Sequence, residues 1–150
     1  MGKKSSKYYR LIDANFNRAR EGLRVVEDTV RFLADNKKVV NDLRRLRHRV
    51  SRIGSAVYNL LITTRDSDGD VGKEFTSTGF ETLHELVTSN FRRAQEAVRV
   101  LEEYSRLLSR DAVSDLQRIR FRLYSLEKQV VKLININKVK PRRRKKSKVI

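Results

Sequence analysis

The chain contains no cysteine and no tryptophan, a single proline and only six glycines. Without cysteine there is no disulfide framework, no thiol nucleophile and no cysteine-based zinc site. That usage fits a reducing compartment, and a cytoplasmic location is expected. The one proline, Pro141, leaves everything before it free to form long helices. Long hydrophobic runs are missing too. The longest, near Ala56 to Ile62, is interrupted by Asn59 and falls far short of the roughly 20 apolar residues that span a bilayer. No secretory signal is visible, and no membrane partner is expected. The two histidines, His48 and His84, do not match each other in the repeat described below and lack metal-ligand spacing. No nucleophile triad is suggested.

Positive charge is abundant and uneven. Of a net charge of +17, Lys3, Lys4 and Lys7 supply three and the basic residues between Lys138 and Lys148 supply eight, which leaves +6 for the body. A basic flexible start (1–7), a helical bundle (8–137) and a basic disordered tail (138–150) are therefore expected. The tail is the segment expected to bind polyanions.

Four amphipathic stretches fill the body. At about 100° per residue, Ile12, Phe16, Ala19, Leu23, Val26, Val30 and Leu33 share one face of a helix predicted over 9–34. Val39, Leu43, Leu46, Val50, Ile53, Val57 and Leu61 do so over 38–63. Leu83, Val87, Phe91, Ala94, Val98 and Leu101 mark a third helix over 81–108, and Leu116, Ile119, Leu123, Leu126 and Val130 a fourth over 111–136, capped by Ser109 or Asp111. Short breaks near Asp35 and Ser109 dictate two antiparallel hairpins. The longer link, TRDSDGDVGKEFTSTG from Thr64 to Gly79, joins them. The predicted fold is all-α: a four-helix bundle.

The hairpins are copies of one another. NFNRAREGLRVVED (Asn15 to Asp28) matches NFRRAQEAVRVLEE (Asn90 to Glu103) at a shift of 75, and DLRRLRHRV (Asp42 to Val50) matches DLQRIRFRL (Asp115 to Leu123) at a shift of 73. A duplicated hairpin predicts a pseudo-twofold axis.

Amphipathic periodicity repeats apolar types, but it does not require the same polar residue twice. Asn15 and Asn90 stand on the apolar faces, where an unpartnered amide costs about 1–3 kcal/mol. They either satisfy backbone groups or meet at the axis and line a polar pocket. Arg47 and Arg120 border their apolar faces, as do Glu27 and Glu102. These four make either interhelical salt bridges or a phosphate site in which glutamates hold arginine's bidentate fork. Arg24 and Arg99 point further outward, as a solvated face would. The link gathers Asp66, Asp68, Asp70 and Lys73 beside glycines. It is not a P-loop, because its Gly-Lys pair lacks the spacer and is followed by Glu74. It is not an EF-hand, because glycine and the bidentate glutamate are misplaced. Its carboxylates either hold Mg²⁺ beside substrate phosphates or form solvated turns.

YRLIDANFNRAREGLRVVED, LRRLRHRV, TRDSDGDVGKEF, LVTSNFRRAQEAVRVLEEYSRLL and RIRFRLYSLEK together resemble one family, across about 8–131. It is the helical N-terminal domain fused to many cyanobacterial-type thiamine-phosphate synthases, proposed as an alternative hydroxymethylpyrimidine-phosphate kinase. The resemblance implies a role in thiamine biosynthesis, ATP and Mg²⁺ as cofactors, and a phosphorylated pyrimidine as substrate. It supplies no residue-level mechanism. The chain reads PRRRKKSKVI where the synthase barrel would begin, so synthase activity is not expected. Asp68 and Lys73 make the link more charged than the family pattern.

Three functions remain open at this point. One is a kinase for the pyrimidine phosphate, with Asp66, Asp68, Asp70 and Lys73 as catalytic or metal candidates and Asn15, Asn90, Arg47, Arg120, Glu27 and Glu102 around the substrate. The second is a helical module that holds a phosphorylated pyrimidine for a separate thiamine-phosphate synthase. The third is a helical nucleic-acid-binding protein, for which few aromatics are available, mostly at core positions. The oligomeric state is left open.

Overall fold

The computed structural model describes residues 3–137 and is helical throughout, apart from its connections. The elements are α1 (Lys3–Thr29), a π-helical turn (Val30–Ala34), α2 (Lys37–Ser55), a short α3 (Tyr58–Thr64), α4 (Leu83–Leu108), a 3₁₀ turn (Arg110–Ala112) and α5 (Val113–Asn137). The starts are set by local chemistry. Asn36 lies in extended backbone and its side chain accepts the Val39 N–H at 3.0 Å, satisfying one orphan donor of α2. Thr82 does the same for Glu85 at the head of α4. Between α1 and α2 the chain reverses through Asp35 at φ 51°, left-handed backbone that short Asx side chains tolerate.

Each long helix buries its apolar stripe against two neighbours. α1 packs on α2 and α4, and α5 packs on α4 and α2, closing a four-helix bundle. Phe16, Leu23, Leu43, Leu46, Phe91, Leu101, Leu116, Ile119, Leu123 and Leu126 fill its core. Each is worth about 1.5–3 kcal/mol of transfer free energy. α1 and α4 run antiparallel, because Tyr8 faces Tyr104 at one level and Glu21 faces Arg93 at another. They approach closely there: a Cβ on Gly22 would stand 2.7 Å from the Asn90 carbonyl oxygen, and Ala19 and Ala94 are fully buried.

The duplication is visible in reciprocal contacts. Arg122 pairs with Asp42 at 3.1 Å, and their counterparts Arg49 and Asp115 pair at 3.8 Å. Residue i meeting j, while the equivalent of i meets the equivalent of j, is the signature of a twofold relation. The axis runs between Ala19 and Ala94 on one side of the bundle and beside Arg45 and Arg118 on the other.

Three details differ from the sequence reading. The start expected to be flexible is helical from Lys3, because nothing between Lys3 and Lys7 stops α1. The π turn adds a residue to the last turn of α1 and rotates the residues after it. Leu33, expected on the apolar face, is thereby turned outward and stands 48% exposed. The helix expected over 38–63 breaks at Ala56–Val57, where Val57 leaves helical backbone (φ −120°, ψ 11°). Gly54, a poor helix former, sits just before the break because its face lies against the Phe16 ring. The break re-aims α3 so that Leu61 buries against α1. Residues 138–150, expected as a disordered tail, lie outside the described residues.

Candidate functional site

The break after α2 throws the link across the first half of α1. Arg65, the first residue past α3, reaches back to Asp13. Its Nε and Nη2 donate to the two carboxylate oxygens at 2.6 and 2.8 Å. Asp13 is buried, so its carboxylate is shielded from water, while the Arg65 side chain stays 37% exposed; the charge-assisted bidentate geometry makes the pair strong. The hydrogen bond to Asp13, reinforced by its charge and opposed by burial, holds the Arg65 guanidinium above its ordinary pKa. Arg10 adds a second tether, donating to the Asp66 carbonyl at 3.0 Å and standing 3.8 Å from its carboxylate.

These tethers roof a cleft of about 610 Å³ between α1 and the link. That volume is ample for a small ligand. Lys7, Arg10, Arg18 and Arg65 bring positive charge to its wall, and Asp66 and Asp70 bring carboxylates. Asp66 accepts the Gly69 N–H, three residues on, with one oxygen (2.8 Å), and Asp70 accepts the Gly72 N–H with one oxygen (2.9 Å) in an Asx turn.

Of the residues singled out from the sequence, the cleft collects Asn15, Asp66 and Asp70. Asp68 and Lys73 do not line it; the Lys73 ammonium donates to the Asp68 backbone carbonyl at 2.9 Å. Among the described residues no three histidines or carboxylates gather as a metal cage. The expected trio of Asp66, Asp68 and Asp70 does not form such a group.

Asn15 and Asn90 do not meet. Their amides donate to the carbonyls one turn back, Leu11 at 2.9 Å and Leu86 at 2.8 Å, so the backbone satisfies them. In the α1–α4 register they lie on opposite sides of the axis, about eight residues or roughly 12 Å apart along the helices.

Arg47 and Arg120 are not near the cleft either. Arg47 donates to Glu27 at 2.7 Å and Arg120 to Glu102 at 2.8 Å, one pair in each hairpin. Glu27 lies twelve residues, about 18 Å, beyond Asn15 on α1. Glu102 is fully buried and is also contacted by Arg106 (2.7 Å) and Arg99 (3.5 Å). Burial pushes its carboxyl up. The hydrogen bonds from Arg120 and Arg106, with the charges of Arg120 and Arg99, outweigh burial and hold it below the usual carboxylate range. A ligand shared by Arg47 and Arg120 has no place here, because the two arginines sit on separate hairpins, each committed to its glutamate.

Asp13 and Arg65 were not found from the sequence. Asp13 left one signal: its counterpart in the second repeat is Thr88, so it is an acid that the shared scaffold does not need. Arg65, 52 residues away, left none.

The chain is also similar to known proteins. Residues 10–129 match the model of the ThiD2 family. Thiamine-phosphate synthases of Nostoc punctiforme and of one Prochlorococcus marinus strain are 36% and 38% identical, over 82% and 85% of the chain. That of Synechococcus sp. (strain CC9605) is 41% identical over 79%. The matched region covers 35%, 37% and 34% of those proteins, so the chain spans about a third of the length of the curated relatives it matches. No solved structure matches it.

Proposed function

The chain belongs to the ThiD2 family, and from that premise we propose that it serves thiamine biosynthesis as an ATP-dependent kinase for hydroxymethylpyrimidine phosphate. The observation that carries this reading is the cleft itself. Lys7, Arg10, Arg18 and Arg65 converge with Asp66 and Asp70 in one space of about 610 Å³. The acceptor in such a reaction is a phosphate oxygen, already anionic. It attacks the γ-phosphorus of ATP, the bond to the β-phosphate oxygen breaks and ADP departs. An anionic nucleophile needs no general base. What the step needs is positioning and neutralisation of crowded phosphate charge. Arg10, Arg18 and Lys7 perform the second task. Arg65, locked on Asp13, keeps the link over the bound phosphates.

Magnesium binds through one or two carboxylates and fills its shell with water and substrate phosphates. Asp66 and Asp70 fit that pattern, each using only one carboxylate oxygen for a backbone N–H. When bound, the ion would neutralise charge on the ATP phosphates.

The test uses the purified chain with ATP, Mg²⁺ and hydroxymethylpyrimidine phosphate, with ³¹P NMR following the diphosphate and ADP. Turnover that falls at least 10-fold in Asp70→Asn and Arg18→Ala is the expected result. Tight binding of the pyrimidine phosphate by calorimetry with no turnover would replace the kinase by a carrier for a separate synthase.

A further inference from the structure

The bundle segregates its charge by layer. α2 carries seven lysines and arginines against one acid, and α5 five against two. α1 and α4 together hold eleven against eight. The outer surface shared by α2 and α5 is therefore strongly basic. Register places Arg45 and Arg118 at nearly the same level astride the pseudo-twofold axis, both exposed. Arg52 extends the stripe along α2, and Lys128 and Lys132 extend it along α5. The acids on the seam, Asp42 and Asp115, are engaged by Arg122, Arg49 and Arg118.

Two aromatic rings lie within this charge. Phe121 is 56% exposed and Tyr124 45%, and they meet edge to face with centroids 6.2 Å apart. The platform is built from below. The Arg120 guanidinium lies 5.1 Å from the Phe121 centroid, and it is fixed by the buried Glu102. In the first repeat the same positions are His48 and Ser51, so no ring pair forms there. The duplicated scaffold does not account for the rings, and the core does not use them.

We propose that the α2–α5 face binds single-stranded nucleic acid, with Phe121 and Tyr124 stacking unpaired bases while the flanking arginines and lysines track phosphates. This goes beyond the kinase reading and uses no residue of the cleft. Fixed cations beside an exposed aromatic platform are the combination that single strands require. A duplex hides its base faces, so the rings would have nothing to stack on. An amphipathic helix lying in a membrane surface needs a continuous apolar stripe, and two rings do not supply one.

Fluorescence anisotropy of the full chain tests this with labelled oligouridylate and oligothymidylate about 20 nucleotides long, enough for one site. A duplex of equal length and heparin serve as comparisons. About five phosphate contacts predict that single-strand affinity falls roughly 100-fold between about 50 and 200 mM salt. Phe121→Ala should weaken both oligonucleotides about 5- to 150-fold, the range of one lost stack, and leave heparin unchanged. Phe121→Leu, which keeps apolar bulk without a π-face, should behave alike. Arg118→Ala should weaken all ligands and flatten the salt slope. The ring is exposed, so folding is not at stake, and circular dichroism checks it. Preference for uridylate over thymidylate would point to RNA, and the reverse to DNA. Unchanged single-strand affinity in both Phe121 variants would overturn the proposal, as would heparin or duplex binding as tightly as the single strand.

Discussion

Replacing Glu102 by glutamine probes the most heavily committed carboxylate in the fold. Glutamine keeps the shape and removes the charge. The side chain is completely buried and faces three guanidiniums at 2.7, 2.8 and 3.5 Å. Arg106 and Arg99 are about half exposed and can turn to water. Arg120, 13% exposed, cannot do so without leaving its place beside Phe121. Breaking a buried pair from one side costs about 3–5 kcal/mol. Because glutamine still accepts one hydrogen bond, about 3 kcal/mol is expected. For a chain of this size that lowers Tm by about 6–12 °C. Glu27→Gln should cost about half as much, since Glu27 has one close guanidinium at 2.7 Å and a second only at 3.9 Å. The pH dependence is a matter of linkage. The folded carboxyl is held below its unfolded value, so its contribution is fully present above about pH 4.3, the unfolded glutamate value, and is lost as pH falls through the folded one. Urea melts of wild type and variant at a series of pH values measure this. The difference should stay level from neutrality to about pH 5 and narrow below the unfolded value. A loss under about 1 kcal/mol, or one independent of pH down to about pH 3, would refute the account of Glu102 as a charged hub.

Gly22→Ala should destabilise the protein by about 1–2 kcal/mol in thermal melts. Overpacking against the Asn90 carbonyl should exceed the gain of roughly 1 kcal/mol in helix propensity. Ala97→Gly, at the equivalent position, removes a Cβ that already fits and should cost about 1 kcal/mol. Asp13→Asn should loosen the link without unfolding the bundle, giving faster amide exchange over 66–82 and turnover reduced at least 10-fold; unchanged exchange there would mean that Arg65 does not hold it. Asn36→Ala should cost about 1 kcal/mol through the lost Val39 cap.

The stripes of the four long helices could be read directly, because a helical period and two short breaks leave little freedom. So could the duplication, which the reciprocal Asp42–Arg122 and Asp115–Arg49 pairs express in space. The π turn and the break at Ala56–Val57 could not. Both are small rotations whose gain lies in burying particular side chains, Val30 and Leu61 among them, and periodicity does not register them. Half of the candidate site was legible for a similar reason. Asp66 and Asp70 stood out by composition, but the Asp13–Arg65 fork spans 52 residues and depends on where α3 points. Arg47, Arg120, Glu27 and Glu102 were correctly singled out as unusual, and the structure spends them on each other. Repetition of a polar residue marked a shared structural need rather than a shared ligand. The aromatics were misjudged: Phe121 follows Arg120 in a helix whose apolar stripe passes on the other side, which turns the ring to solvent.

The pseudo-twofold axis divides labour within a chain that began as two equal parts. Everything common to both hairpins, the stripes, the glutamate–arginine pairs and the seam, serves cohesion. The two surfaces peculiar to one of them face outward: the roofed cleft on the first, the ring platform on the second. A substitution in either specialised surface leaves its twin's contribution to cohesion intact, so each surface could be remodelled, or lost, at little risk to the whole. Duplication here functions as insurance, freeing half of every matched pair of outer faces for experiment.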